Sequence, residues 1–309
     1  RYQTYHIHKL ALTATSGPGT LRTELRIRDG EKSASYIVPM DFQRLEDGLV
    51  VHIAEGLVLD TLPWEVDPLN GIRITDTGPV AEHFNMNSGA QRIELITSPT
   101  ATVIRLEEFD MGNLLNIISI DDTVAFVSGA LNGEVSLPLN GYAHLRADLR
   151  VDGLALAGRS LGDLVVQAHG SGKDRYEGTL RFENGANMLD ASALMDGSGA
   201  QPMIEAHANI GLSDLSFLKP FVHASLYDIR GALKGVVDWR TSGGKNKVQG
   251  DLTFTNTELG VLRTGARYTL RNERVQADAS GFHLHDFTVR DTLGNTFVLD
   301  GRVLSEDLS

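Results

Sequence analysis

An all-β fold is what this sequence predicts, on three observations. Apolar and polar residues alternate with period two in segment after segment. Tyr176, Gly178, Leu180 and Phe182 fall on one parity, and Glu177, Thr179 and Arg181 on the other. Ile204–Ile210 and Val248–Phe254 repeat the pattern, which builds strands with one dry and one wet face. Dipeptides that favour positive φ punctuate the chain at Asp29-Gly30, Asp47-Gly48, Asn70-Gly71, Asn132-Gly133, Asn140-Gly141, Asp152-Gly153, Asn184-Gly185, Asp196-Gly197 and Asp300-Gly301. They are the chemistry of short hairpins, and their spacing leaves room for strands of about 6 to 12 residues. Helix, finally, is scarce.

Two short helices are expected. Leu114, Leu115, Ile117 and Ile118 make an i, i+3, i+4 stripe within about 112–120. Ser213 as N-cap, Leu215 and Leu218, and the stop at Pro220 mark a second over 213–219. Each is two or three turns, too little to roof a sheet. Both precede a similar strand: Gly129-Ala-Leu-Asn-Gly-Glu-Val135 after the first and Gly231-Ala-Leu-Lys-Gly-Val-Val237 after the second, 102 residues apart. Downstream, Ala147–Val151 aligns with Gly250–Phe254 at a separation of 103. This repeat divides one continuous sheet into units 1–128, 129–230 and 231–309, each extending the same hydrophobic surface. Ser198–Pro202 and Ser242–Lys245 read as hairpin loops.

Composition narrows the function classes. The chain has 309 residues, 41% of them hydrophobic, and a net charge of −12 with a pI of about 5.3. That balance argues against nucleic acid and anionic membrane surfaces as partners, because both demand a basic patch. The absence of cysteine excludes a disulfide frame, thiolate metal sites and a cysteine nucleophile. No stretch approaches the roughly 20 apolar residues of a membrane-spanning helix; Leu114–Ile120 is broken by Asn116 and Ser119 and stopped by Asp121-Asp122. The chain reads as a piece of a longer protein whose targeting signals lie elsewhere.

No catalytic constellation emerges. Gly158-Arg-Ser-Leu-Gly162 matches the G-x-S-x-G nucleophile elbow, but that motif needs a strand-to-helix turn. Leu164–Ala168 reads as a strand, which leaves Ser160 in a hairpin loop. His283 and His285 share a parity, as do His6 and His8, yet Phe282 and Leu284 mark the opposite, oily face, so these imidazoles point to water. Glu107-Glu108 and Asp121-Asp122 resemble solvated strand ends. Gly17-Pro-Gly19 and Gly197-Ser-Gly199 lack the context of a phosphate loop. Neither a metal nor a cofactor is expected.

The oily face is the functional question. Ten strands about 23 Å long at about 4.8 Å spacing present a face on the order of 1,100 Å², whereas soluble monomers expose only a few hundred. The sheet must therefore pack on a second sheet, bend round on itself, close as a barrel or hold an apolar ligand. An outer-membrane barrel needs aromatic girdles, and aromatics make up only 6% here. Many inner positions are small, among them Ala147, Ala168, Gly178, Ala206, Ala208, Gly250, Ala277 and Ala279, which points to a groove. By parity the groove is lined by Leu145, Leu149, Val151, Leu164, Val166, Tyr176, Leu180, Phe182, Ile204, Ile210, Val248, Leu252, Phe254, Tyr268, Leu270, Phe297 and Leu299. A bulge reverses any strand's face.

Tyr268-Thr-Leu-Arg-Asn-Glu-Arg-Val275 and Phe287–Gly301, with its D-x-x-G-N-x-x-x-L-x-G segment from Asp291, resemble the TamB family, the inner-membrane subunit of the translocation and assembly module, related to AsmA-like proteins. The resemblance is clearest over 204–303, including Gly231-Ala-Leu-Lys-Gly and Gly250-Asp-Leu-Thr-Phe-Thr-Asn-Thr, and looser over 1–203. It implies a long curled, taco-like β-sheet with an apolar concave face. It further implies an inner-membrane anchor outside this stretch, a periplasmic location in a diderm bacterium and a BamA-like outer-membrane barrel as partner. On that basis the expected function is a non-enzymatic conduit that moves phospholipid, acyl chains in the groove, between the two membranes. The alternatives are a chaperone module that receives nascent barrel strands along a sheet edge, a structural β-sandwich repeat, and, remotely, an esterase at Ser160.

Overall fold

A computed structural model describes residues 7–29, 35–46, 48–75, 78–113, 127–139, 144–156, 158–185, 187–199, 201–222, 224–242 and 245–304. These form 22 strands, every pairing between them antiparallel, with almost no helix. The chain divides into two compact units, residues 1–152 and 153–309.

The first unit begins with the meander β1 (Ile7–Gly17), β2 (Thr20–Asp29) and β3 (Ser35–Leu45). Strand β3 then serves two neighbours. Its Met40–Leu45 half pairs with β4 (Gly48–Ile53), while Ile37 pairs with β5 (Leu57–Leu59). From β4 the ladder runs to β7 (Gly71–Thr75) and β8 (Gly78–Glu82). From β5 it runs through β6 (Leu62–Val66), β9 (Phe84–Ser88), β10 (Gln91–Thr97) and β11 (Ala101–Asp110) to β12 (Val127–Pro138). Strand β13 spans Arg146–Leu156. Trp64, Phe84, Met86, Phe109 and Leu131 supply the buried core, with the Trp64 and Phe109 rings 5.7 Å apart. Buried Asn70 ties the irregular turn beside them: its Oδ1 accepts from Ile53 N, and its Nδ2 donates to the carbonyls of Ile53 and Asp67.

The second unit is a simple meander. Strands β14 (Arg159–Gly172), β15 (Arg175–Asn184), β16 (Asn187–Asp196), β17 (Met203–Leu212), β18 (Leu226–Ser242), β19 (Lys245–Val261), β20 (Arg267–Asp278), β21 (Gly281–Asp291) and β22 (Thr296–Leu304) pair in that order. Among the described residues β22 pairs with β21 alone, so this meander does not close into a barrel. Between β17 and β18 lie a 3₁₀ turn, Leu215–Leu218, and the one-turn helix α1, Lys219–Val222. The helical segment expected over 213–219 is thus present over 215–222, starting two residues later, ending three later and partly 3₁₀. Its counterpart at 112–120 is described only at Met111–Asn113; Leu114 to Ile120 and Asp121-Asp122 lie outside the described residues.

Three of the expected hairpin dipeptides sit inside strands instead: Asn132-Gly133 in β12, Asp152-Gly153 in β13 and Asp300-Gly301 in β22. Their glycines do take positive φ, +129°, +61° and +155°. The physical reason is that positive φ also serves bulges and close strand approach, not turns alone. Gly133 and Gly235 show this in matched positions of the repeat. A Cβ on either would lie 2.0 or 1.9 Å from the carbonyl oxygen of Asp148 or Asp251. The Gly-x-Leu-x-Gly strand is repeated in its backbone as well as in its sequence.

Candidate functional site: an apolar sheet face with a helical cap

Cross-strand register decides which side chains share a face, and in the second unit it aligns the apolar parities into rows across the strands. One row runs Leu164, Phe182, Leu189, Ile210, Gly235, Leu252, Val275 and Leu284. The next runs Val166, Leu180, Ala191, Ala208, Val237, Gly250, Ala277 and Phe282. A third holds Ala168, Gly178, Ala193, Ala206, Trp239 and Val248, and a fourth begins Tyr176, Met195 and Ile204. Small residues thus form a shallow floor between walls of leucine, isoleucine, phenylalanine and tyrosine. On the opposite, polar face a hollow of about 830 Å³ is lined by two registered rows, one of Gln167, Thr179, Ser192, His207, Asp238 and Gln249, the other including His169, Glu177, Glu205, Arg240 and Lys247.

The remaining parity-based residues are placed by bulges. Asn256 (φ +46°) interrupts β19 and the register with β18 shifts between Arg230 and Ala232. Beyond it Leu259 packs with the helical cap and faces Tyr268, while Leu270 faces buried Thr257. Phe254 pairs with Leu233 but also with Glu273, whose Oε2 accepts from Thr288 N at 2.7 Å. A second shift, between Leu284 and Phe287, turns Phe287 and Val289 toward Leu299 and Phe297. In the first unit Val151 is buried, Leu145 and Leu149 are half-buried, and Leu149 Cα abuts Gly133. The corresponding face there reads Phe84, Leu95, Ile104 and Val135.

Among the described residues, little covers the face in the second unit. Leu164, Val166, Leu180, Ile204, Ile210, Val248 and Leu252 are only half-buried, and Trp239 is 37% exposed. A packed sandwich interior would bury such side chains outright. The exception is one end, where the helical segment sits. Leu215, 1% exposed, joins Leu212 and Ile229, and Ile210, Phe217, Leu218, Val222, Leu226 and Leu233 pack around them. The Phe217 ring stacks on Phe182 at 5.6 Å.

Polar ties hold this cap in place, because a segment this short has no helical stability of its own. Asn187 Oδ1 accepts from Ser213 N and Asp214 N at 2.8 and 2.9 Å, and its Nδ2 donates to Asp214 O at 3.3 Å. Asp214 is the N-cap and accepts from Ser216 N. Ser213, expected there, lies one residue earlier. In the first unit Gln91 Oε1 receives Asp110 N, and Asp110 Oδ1 receives Asn113 N, at the start of the other helical segment. At the cap's far end Asp228, its side chain 11% exposed, receives Lys219 Nζ at 2.6 Å, Arg230 at 2.8 Å and Arg267 at 3.2 Å. Hydrogen bonds from Arg230 and Lys219 hold its carboxyl well below the usual carboxylate range.

The opposite face is wet and laddered with ion pairs: Arg240 with Glu205 at 3.0 Å, His207 with Asp238 at 2.8 Å, Arg181 with Asp190 at 3.8 Å, and Arg274 with Asp251. Such exposed pairs add little stability, being screened by solvent, but they mark the face that meets water. Ser160 lies in β14, exposed, and not in a hairpin loop. His283 Nε2 meets Asp278 at 3.0 Å and Ser280 at 3.2 Å, and His285 meets Asp300 at 3.7 Å. Among the described residues no three His, Cys, Asp or Glu side chains gather as a metal site. His6 lies outside the described residues. No described helix is long and apolar enough to cross a membrane.

Comparison with protein-family models, with curated proteins and with solved structures returns no match.

Proposed function

We propose that the apolar face is a binding surface for lipid acyl chains and that the chain is a conduit segment which passes phospholipid along it. The single observation behind this reading is the row structure: four aligned apolar rows left half-exposed to solvent. Eight strand spacings of about 4.8 Å and four rows about 6.8 Å apart give a face on the order of 1,000 Å², beyond what a soluble surface leaves idle. An acyl chain gains about 0.8 kcal/mol for each methylene it buries, so ten methylenes on the face yield a useful affinity without any enclosing cavity. Rows run across the strands, so a chain lying in one can advance strand by strand. Headgroups stay in water beside the sheet, and transfer needs neither a catalytic group nor an energy-coupling motif.

The resemblance to the TamB family supplies the biological setting of the proposal. The segment would stand in the periplasm of a diderm bacterium, anchored through another part of its protein to the inner membrane and joined to a BamA-like outer-membrane barrel. Photo-crosslinkers at Val166 and Leu252, on the rows, should capture phospholipid from the host, whereas those at Thr179 and Thr253 should not. Equal capture at all four positions, read by mass spectrometry, rejects the conduit.

A further inference from the structure

The first apolar row is continuous in register but not in exposure. Leu164, Leu189, Leu252, Val275 and Leu284 along it are half-buried, whereas Phe182 is 7% exposed. The difference is the helical cap. Its Phe217 ring stacks on Phe182, and Ile210, in the same row, packs into the cluster built on Leu215. An acyl chain advancing along this row and the Phe217 ring therefore claim the same seat.

Two observations mark the cap as a fastened piece and not as part of the sheet's own core. Its eight residues, four of them 3₁₀, cannot hold a helix unaided. Polar side chains tie it at both ends, Asn187 with the N-cap Asp214 at the start and Asp228 with Lys219 at the finish. The tie at the start also recurs in the first unit with different residues. There Gln91 Oε1 accepts from Asp110 N, as Asn187 Oδ1 accepts from Asp214 N. Asp110 Oδ1 then accepts from Asn113 N, as Asp214 Oδ1 accepts from Ser216 N. Gln91 and Asn187 each open a strand, β10 and β16, and the two aspartates stand 104 residues apart, close to the spacing of the repeat. The fastening is repeated even where the amide residue that makes it is not.

We propose that the cap is a lid on the acyl-chain track: closed, it seats Phe217 on Phe182 and interrupts the first row, and an arriving acyl chain takes that seat and displaces it. The inference rests on the reading of this face as an acyl-chain surface and adds its gate. A closed lid lowers apparent affinity by the fraction of molecules that stand open. Weakening a tie therefore tightens binding, whereas loosening a fixed wall that touches the ligand would weaken it.

The test follows hydrogen exchange while the whole chain is titrated with an eighteen-carbon fatty acid whose fluorescence rises in apolar surroundings. At saturation the amides of Ser216–Lys219 in the wild type should exchange at least ten-fold faster than without the fatty acid, with β15–β17 still protected. Asn187→Ala should bind the probe at least five-fold more tightly than the wild type. Asp228→Asn, which releases the other end, should do the same, so the test survives the loss of either variant to misfolding. Binding with cap exchange unchanged or slowed makes the cap a fixed wall and overturns the lid, while the acyl-chain surface stands. Equal or weaker binding by the variants overturns it likewise, as does loss of protection across β15–β17, which would mean that the probe unfolds the unit. No binding by the wild type or either variant rejects the acyl-chain surface itself, and the lid with it.

Discussion

Leu252→Arg tests the apolar face most directly. Leu252 is half-buried in the first row, between Gly235 on β18 and Val275 on β20. One row position covers about 33 Å² of sheet, two residue rises by one strand spacing. A bound chain buries a matching area, so about 65 Å² leaves water, which at 25 cal/mol/Å² is about 1.6 kcal/mol. Loss of that one position weakens binding about fifteen-fold. An arginine that also shadows the Gly235 and Val275 positions removes up to about 5 kcal/mol. Arginine can turn its guanidinium to water from this half-exposed site, so the fold should persist. The assay is titration with an eighteen-carbon fatty acid whose fluorescence rises in apolar surroundings, with circular dichroism melts as the control for folding. Thr253→Arg, on the other parity of the same strand, should bind the probe as the wild type does. Equal affinities for both variants, or equal losses, refute the assignment of the face.

Asp228→Asn should loosen the cap. Three cations converge on a buried carboxylate, but Arg230 and Arg267 are themselves exposed, so about 1–3 kcal/mol is expected in a denaturant melt. Because the folded carboxyl titrates below its unfolded value, this stability is fully present above about pH 4 and is lost as pH falls through the lower folded value. The wild type should therefore melt earlier under acid than at pH 7, and Asp228→Asn should flatten that part of the profile. Asn187→Ala removes three hydrogen bonds to the cap, and hydrogen exchange across 213–222 should quicken by at least ten-fold with the strands protected. Gly235→Val forces a Cβ onto the Asp251 carbonyl, so a loss of more than about 3 kcal/mol, or failure to fold, is expected from expression and melting.

Alternation alone was enough to read strand content and, through most of the second unit, which side chains share a face, because period two translates directly into facing. Tyr176, Leu180 and Phe182 meet Met195, Ala191 and Leu189 as their parity requires. The repeat was legible for the same local reason, since Gly133 and Gly235 must be glycine wherever that approach recurs. The helical cap was visible from Pro220 and the Leu215–Leu218 spacing. What it covers was not, because nothing local links Phe217 to Phe182 or Lys219 to Asp228.

Tertiary structure decided the rest. Parity fails at Asn256 and between Leu284 and Phe287, where a bulge turns the strand over, and bulges are set by cross-strand hydrogen bonds and not by composition. An Asp-Gly or Asn-Gly dipeptide announces positive φ but cannot say whether the chain turns there or a neighbour passes close. At Asn184-Gly185 it turns; at Asn132-Gly133 a neighbour passes. The sequence determined what each strand would bury. Only the assembled register determined which surfaces remained unburied, because exposure depends on every neighbour at once.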